Sequence, residues 1–173
     1  EDMIIEQYGD DNFHNEARNI RYNFFEDLIR KYNANYLFTA HHGDDLAETI
    51  LMKIIRGSNL LGYAGMQSLT TINDYHYHKP LLIYSKEQLY SYANKYSISF
   101  NEDISNKSND YFRNRIRNTV IPIIKEENNI ILRFNSFSKQ AFDASNYIRT
   151  QSLVFLKGST TFKLDEFNLL HEA

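Results

Sequence analysis

The sequence has no cysteine among its 173 residues, and no uninterrupted apolar run long enough to cross a membrane. The first absence excludes a disulfide scaffold, a thiolate zinc site and a cysteine nucleophile within the chain. The second excludes a membrane-spanning protein. The first residues also lack the basic and then apolar pattern of a signal peptide.

The composition is that of a folded domain with little overall charge. Hydrophobic residues make up 42% and charged residues 24%, which is ordinary for a soluble globular chain and too apolar for disorder. The net charge of −3, from 19 basic and 22 acidic residues, gives no general attraction to nucleic acid. A nucleic-acid role would therefore need basic residues gathered on one face.

The length suits one domain, or one domain with part of another. Because the chain begins with Glu1 rather than methionine, we expect it to be a fragment or a processed product. A charged and asparagine-rich run near residues 126–129 breaks the hydrophobic pattern. We therefore expect a boundary there, with residues 1–128 in one domain and residues 129–173 forming a helical connector and the start of a second.

Hydrophobic spacing predicts an α/β fold with part of a parallel sheet, followed by a mainly helical segment. Residues 16–32 read as an amphipathic helix, 36–40 as a short buried parallel strand, and 44–56 as a second helix that Gly57 terminates. Residues 58–73 show no clear pattern. After them the sequence predicts an extended loop at Pro80 and a helix that Ser85 caps and that runs to Tyr96. A helix that begins at Tyr111 is interrupted by Pro122, and a long helix follows over 130–156. The last predicted elements are a strand over 160–164 and a short helix from Asp165.

Two imidazoles and three carboxylates lie within eight residues where the first strand ends and a helix begins: His41, His42, Asp44, Asp45 and Glu48. Open α/β sheets bind their ligands at such junctions. The cluster could hold Mg²⁺, orient a phosphate-bearing ligand or supply a general base. A structural reading stays open, in which Asp44 caps the helix and the other acids favour its positive end.

A second cluster contains Arg113, Asn114 and Arg117, with the two arginines one helical turn apart. Guanidinium groups beside aromatic rings suit contacts with phosphate and sugar. The alternative is a solvated basic face whose charges pair with nearby acids, namely Glu102, Asp103 or Asp110.

Two further sets of arginines read as ordinary helix surface on physical grounds alone. Arg18 aligns with Tyr22 on the first helix, with Arg21 beside them, and Arg56 favours the negative end of its helix.

Taken together, these segments resemble the tRNA(Ile)-lysidine synthase family of PP-loop ATP pyrophosphatases. Five motifs occur in the family's order: E-A-R-x-x-R-Y from Glu16, H-H-x-D-D-x-A-E-T from His41, Arg56-Gly57 with Gly62 and Gly65-Met66 downstream, Pro80-Leu81-Leu82, and E-D-x-S-N with R-N-R-I-R and a proline between Glu102 and Pro122. The chain departs from the family at Leu46, where glutamine is usual, and at Lys79, where arginine is usual.

The family's Ser-Gly-Gly-x-Asp-Ser loop, which holds ATP phosphates, is absent from the chain. The resemblance therefore implies that the first part of the nucleotide-binding domain is missing, and that this fragment alone is inactive.

The resemblance implies a cytoplasmic carbon–nitrogen ligase that uses ATP and Mg²⁺. It would adenylate the C2 carbonyl oxygen of the wobble cytidine in an isoleucine tRNA with a CAU anticodon, releasing pyrophosphate. The ε-amine of L-lysine would then displace AMP and leave lysidine, so that the tRNA reads AUA instead of AUG.

The resemblance also implies roles for individual residues. Asp44, Asp45 and Glu48 would hold Mg²⁺ or the lysine ammonium, with Asp45 the favoured base. His41 and His42 would line the nucleotide pocket. Arg113, Asn114 and Arg117 would contact tRNA or phosphate. Arg56, Arg18 and Arg21 would do the same. A homodimer packed through the helical face over 134–155 is a further expectation.

Three alternatives stay open. Related PP-loop enzymes thiolate tRNA bases, although that chemistry usually relies on cysteine. The chain could also be a non-catalytic tRNA-binding remnant. Finally, the His-Asp cluster could serve only to cap a helix.

Overall fold

The computed structural model describes residues 13–102, 109, 111–156 and 158. It contains seven α-helices and three strands within this part of the chain, together with a 3₁₀-helix and a π-helical turn. In chain order these are α1 (Phe13–Tyr32), β1 (Tyr36–Phe38), α2 (Gly43–Arg56), α3 (Leu60–Tyr63), β2 (Leu69–Ile72), β3 (Tyr75–His78), the 3₁₀-helix Pro80–Ile83, α4 (Lys86–Lys95), α5 (Phe112–Arg115), the π-helical turn Ile116–Val120, α6 (Ile121–Ile124) and α7 (Ile130–Leu156).

These elements divide into two compact units. The first contains the described residues up to His41 together with Ser68–Leu81, and the second contains His42–Gln67 together with the described residues from Leu82 onward. The domain boundary predicted near residue 128 does not coincide with the division into these two units, and it stays a prediction.

The first unit contains a small mixed sheet with the strand order β1-β3-β2. β1 runs parallel to β3, with Leu37 opposite Tyr77, while β2 and β3 pair antiparallel. The parallel pair confirms the predicted α/β class. The β2–β3 pair was missed because its first strand falls where the sequence shows no clear period.

The predicted burial of β1 is wrong. Tyr36 is 55% exposed and Phe38 60% exposed, because β1 pairs only with β3 in the described part of the chain. The two rings stack on each other and lie beside His76 and His78 of β3. The apolar run therefore reflects aromatic contacts along one face of the sheet.

In the second unit α2 presents one buried side to two apolar clusters. Leu46 and Ile50 pack with Leu82, and the partly buried Met66 and Phe134 join them. Ala47 packs with Ile116 and Ile121. The helix predicted over 44–56 is confirmed, beginning one residue earlier, and Gly57 follows it with a positive φ of 72°.

The two prolines have different effects. Pro80 begins a 3₁₀-helix rather than an extended loop, because the fixed φ of proline suits the first turn of a helix. Pro122 disturbs a helix as expected: a π-helical turn precedes it, and the backbone continues from that turn into α6 at Ile121. A proline has no amide to continue the regular ladder of hydrogen bonds.

The helix predicted over 130–156 is confirmed as α7. The predicted strand over 160–164 and the helix from Asp165 lie outside the described residues, as do Asp103, Ser105 and Asn106 of the fifth motif. Among the described helices, none combines the length and the apolar character that crossing a membrane requires.

Gly43 allows the start of α2 to lie close to its neighbours. Its amide donates to the Tyr84 carbonyl at 2.8 Å. A methyl group at this position would meet the Leu82 carbonyl oxygen at 2.9 Å and would overlap the Ile131 side chain. Only glycine leaves room for this contact.

We therefore expect Gly43→Ala to lower the free energy of unfolding by about 2 kcal/mol, since the added methyl meets backbone that cannot move aside. Urea denaturation of the protein measures the change. Ser91→Ala, on the exposed surface of α4, is the control and should change stability by less than about 0.5 kcal/mol. Equal stability of the two variants would contradict the close packing.

Candidate functional site

A cavity of about 580 Å³ lies in the second unit, and most of the side chains that line it are polar. Cavities of this size hold small-molecule ligands. The residues that line it are His42, Asp44, Asp45, Glu48, Lys86, Glu87, Tyr90, Asn101, Glu102, Arg117, Asn118, Ile121, Pro122 and Lys125.

The first two turns of α2 supply three carboxylates to this cavity, namely Asp44, Asp45 and Glu48. His42, with extended backbone, is the residue that precedes the helix, and its amide donates to Asp45 Oδ2 at 3.0 Å. Asp44 is therefore inside the helix and does not cap it, because the helix begins one residue before the predicted position. Asp45 does act at the positive end of the helix, as the structural reading expected.

Glu48 is a fully buried carboxylate that two arginines share. Arg113 Nε donates to its Oε2 at 2.7 Å and Arg117 Nε donates to its Oε1 at 2.6 Å. A third bond joins Arg117 Nη2 to Glu48 Oε2 at 2.9 Å. Both oxygens of Glu48 are therefore engaged, and its side chain is only 1% exposed.

Asp45 completes this ion cluster. Its Oδ1 accepts from Arg113 Nη2 at 3.2 Å and from Arg117 Nη2 at 3.3 Å. The hydrogen bond to Glu48 raises the pKa of Arg117 and outweighs the opposing effect of burial. Two carboxylates and two guanidinium groups therefore balance each other in charge.

A second ion cluster surrounds Lys125, at the end of α6. Lys125 Nζ lies 2.6 Å from Asp44 Oδ2 and 2.8 Å from each oxygen of Glu87. Asp44 Oδ2 also accepts from the Lys86 amide at 3.1 Å. Burial opposes ionisation of Glu87, but hydrogen bonds led by the one from Lys125 prevail and lower its pKa.

Two buried polar atoms of the cavity residues have no hydrogen-bond partner in the described part of the chain. These atoms are Asp44 Oδ1 and His42 Nδ1. The other ring nitrogen of His42, Nε2, lies 3.4 Å from Asp45 Oδ2. Buried acceptors and donors are normally paired, so these two atoms are exceptional.

The three carboxylates do not fit a Mg²⁺ site as they are arranged. Both oxygens of Glu48 and Oδ1 of Asp45 bind arginine, and Oδ2 of Asp44 binds Lys125. Mg²⁺ needs several oxygen ligands in octahedral geometry. Over the described ranges, no group of three or more acidic or histidine side chains is placed to hold a metal ion.

The other predicted site residues do not line this cavity. His41 and Arg18 belong to the first unit, where His41 Nδ1 lies 2.8 Å from Thr39 Oγ1 and Arg18 lies over the Tyr22 ring. Arg21 is exposed on α1. In the second unit Arg56 is exposed and lies over the Phe112 ring at 5.1 Å, while Asn114 is buried.

Sequence reasoning missed Lys86, Glu87 and Lys125. In the sequence, Glu87 is an acidic residue that favours the first turn of α4, and this gives no indication of a site. No motif near Lys125 identifies it as a site residue. The members of this cluster come from three helices far apart in the chain, so no short motif contains them.

The matching family model, described as a PP-loop domain, covers residues 3–124. The chain belongs to the PP-loop domain family. The match includes Asp44 and all four members of the first ion cluster, Asp45, Glu48, Arg113 and Arg117, and it ends just before Lys125.

Several curated proteins named tRNA(Ile)-lysidine synthase are similar to the chain. The one from Aster yellows witches'-broom phytoplasma is 40% identical over 157 residues, which cover 91% of this chain and 36% of that protein. The one from Enterococcus faecalis is 43% identical, covering 81% and 30%, and the one from Bacillus subtilis 38%, covering 78% and 29%. The chain spans about a third of the length of these relatives.

Removal of one arginine tests the ion cluster. We expect Arg117→Met to lower the free energy of unfolding by about 3 kcal/mol, because Glu48 would keep its buried charge with only one partner. Urea denaturation measures this change. Arg30→Met is the control, since Arg30 forms an exposed ion pair with Glu26. This variant should lower the free energy of unfolding by only about 0.5 kcal/mol. If both variants lost the same small amount, the cluster would not be the buried network described.

Proposed function

We propose that the protein to which this chain belongs is an ATP-dependent tRNA(Ile)-lysidine synthase. In this reaction ATP adenylates the C2 carbonyl oxygen of the wobble cytidine in a tRNA with a CAU anticodon. The ε-amine of L-lysine then attacks C2, AMP leaves, and the lysidine formed pairs with adenosine, so that AUA is read instead of AUG.

The observation that carries this proposal is one cavity that joins acids at the start of a helix to an arginine from a distant segment. Asp44, Asp45 and Glu48 line it together with Arg117. Carboxylates can bind a cationic amino acid and accept its proton, and a guanidinium can bind a phosphate. The similarity to lysidine synthases adds the substrate class to this geometry.

Asp45 is the proposed base for the lysine amine. Its Oδ1 is bonded to Arg113 and Arg117, so it can accept a proton only when at least one guanidinium moves away. An incoming phosphate would draw the arginines away because it offers them the bidentate contact that they now make with carboxylates. Phosphate binding would thereby prepare the base.

The remaining residues have secondary roles in this proposal. His42 lines the cavity beside the nucleotide, His41 contributes to nucleotide binding, and Arg18 and Arg21 contribute to binding of tRNA or phosphate. Arg56 and Asn114 contribute to tRNA binding.

Mg²⁺ would accompany ATP, but the three carboxylates of α2 would not hold it in their present arrangement.

The proposal includes two properties of the whole protein. It would act in the cytoplasm, where tRNA is modified. It would also form a homodimer through exposed apolar residues of α7, such as Ile148 and Leu153. Phe134 is not available for that contact, because it packs in the core of the second unit.

The full-length protein tests this function. We expect it to convert a tRNA(Ile) transcript with a CAU anticodon to the lysidine form when ATP and L-lysine are supplied, as nucleoside mass spectrometry would detect. Asp45→Asn should reduce the rate by about a hundredfold or more, because the amide cannot take a proton. Asp143→Asn, an exposed carboxylate on α7, is the control and should keep the full rate. Near-normal turnover by Asp45→Asn would refute its role as base, and no lysidine from the unaltered protein would refute the function.

A further inference from the structure

Four polar side chains of the first unit form a continuous series of hydrogen bonds. His41 Nδ1 lies 2.8 Å from Thr39 Oγ1, and Thr39 Oγ1 donates to the Tyr77 hydroxyl at 3.1 Å. The Tyr77 hydroxyl lies 3.2 Å from that of Tyr22. All four residues belong to the same compact unit. The hydroxyl network, made of Thr39, Tyr77 and Tyr22, is therefore bonded to a predicted site residue, His41.

The parallel pairing of β1 and β3 brings Thr39 to Tyr77, although the two residues are 38 positions apart in the sequence. The register places Phe38 opposite His78. The Thr39 amide extends this pairing beyond β1 by donating to the His78 carbonyl at 3.1 Å. The backbone of the sheet therefore holds the Thr39 and Tyr77 hydroxyls together.

Tyr77 is buried, at 4% exposure, and two neighbours hold its ring. The Tyr22 ring meets it in a T-shaped arrangement with the centroids 6.0 Å apart, and Lys79 Nζ lies 3.6 Å from its centroid. A cation over an aromatic ring is attracted most strongly where it is desolvated, and Lys79 is buried as well. The Tyr77 hydroxyl thus has a defined position from which it binds Thr39.

The directions of these bonds determine which nitrogen of His41 carries the proton. A threonine hydroxyl has a single hydrogen, and Thr39 gives it to Tyr77. Towards His41 the Thr39 oxygen can therefore only accept, so Nδ1 must supply the hydrogen of that bond. A neutral imidazole is protonated on one nitrogen only, which leaves Nε2 as the basic nitrogen.

Tyr77 completes the order of donors. Burial, the largest influence, raises the pKa of Tyr77 to about 12, so the phenol keeps its hydrogen near neutral pH. Because its oxygen accepts from Thr39, that hydrogen is left for the Tyr22 hydroxyl. Every hydrogen in the series therefore points away from His41. The reverse order would require Tyr77 to donate to Thr39, which is opposite to the bond in the structure.

We propose that the hydroxyl network positions His41, fixing its neutral ring with the proton on Nδ1 and with Nε2 as the accepting nitrogen. The role of His41 towards the nucleotide rests on the proposed function. In that role Nε2 serves as an acceptor for an N–H or O–H group, and not as a donor to phosphate, because it has no hydrogen to give. Thr39, Tyr77 and Tyr22 act through His41 and are positioning residues.

Nitrogen NMR of the full-length protein, labelled with ¹⁵N-histidine, tests the tautomer directly. Couplings between the ring protons and the ring nitrogens distinguish a protonated nitrogen from an unprotonated one. The spectrum is recorded at a pH at which the nitrogen shifts show the neutral ring, and the signals lost in His41→Gln assign the residue. We expect His41 to be protonated on Nδ1. Protonation on Nε2 would overturn the proposal.

Removal of the Thr39 hydroxyl should release the tautomer. Thr39→Val keeps the shape of the side chain, so we expect a mixture of both His41 tautomers. The rate of lysidine formation should fall about tenfold, which corresponds to one buried hydrogen bond. Thr39→Ser keeps the hydroxyl and should retain the tautomer and most of the rate. An unchanged tautomer in folded Thr39→Val would contradict the positioning role.

Thr71→Val is the matched control, because Thr71 Oγ1 lies 3.2 Å from His76 Nδ1 in an exposed pair of the same sheet. Water can replace the hydrogen bond that this variant loses, and His41 is not part of the pair. We therefore expect an unchanged His41 tautomer and the full rate. If Thr71→Val lowered the rate as much as Thr39→Val, the loss would reflect damage to the sheet and would contradict a specific effect on His41.

The two tyrosines provide a second test, which also applies if Thr39→Val does not fold. Tyr77→Phe removes the acceptor of the Thr39 hydrogen, which can then turn towards His41, so both tautomers should appear. Tyr22→Phe leaves the bond between Thr39 and Tyr77 in place and should keep the proton on Nδ1. Equal tautomer populations in these two variants would contradict the proposed order of donors.

The positioning role and the proposed function can fail separately. If the unaltered protein formed no lysidine but held the His41 proton on Nδ1 in a manner that depends on Thr39, the function would be refuted and the positioning role would stand. If lysidine formed normally while His41 was protonated on Nε2, the function would stand and the positioning role would be refuted.

Discussion

The organisation of the second unit depends on one buried carboxylate. Glu48 lies on the inner side of α2, where only apolar residues would otherwise be expected, and it is stable there because two guanidinium groups donate to both of its oxygens. Arg113 and Arg117 come from a segment 65 and 69 residues later in the chain. This single charge therefore fixes the segment after α4 against the first turns of α2.

The irregular helix that carries the arginines follows from the same constraint. Pro122 cannot continue a regular ladder of hydrogen bonds, and a π-helical turn precedes it. Arg113 lies before this turn and Arg117 within it, yet both reach Glu48. On the other side of the proline, Lys125 reaches Asp44. One short segment thus binds all three acids of α2 through two separate ion clusters, and residues of both clusters line the cavity.

Much of this was predictable from the sequence. The 3.6-residue period predicted α2, α4 and α7 closely, and the motifs contain the acids and arginines that the structure brings together in the first ion cluster. The sequence could not show that Glu48 is buried, or that Asp44 Oδ1 has no donor in the described part of the chain, because both depend on side chains from distant helices. The predictions of a buried β1 and of an extended loop at Pro80 were wrong for a similar reason. A short apolar run or a proline fits more than one local structure, and the neighbouring elements decide which one forms.

A double-mutant cycle between Glu48 and Arg117 tests the central interaction most directly. It compares the free energies of unfolding of the unaltered protein, Glu48→Gln, Arg117→Met and the double variant. A buried shared charge predicts a coupling energy of about 2 kcal/mol or more, since the second change should cost little once the first partner is gone. A coupling energy below about 0.5 kcal/mol would show that the two side chains contribute independently, and the account of the cavity would then be wrong.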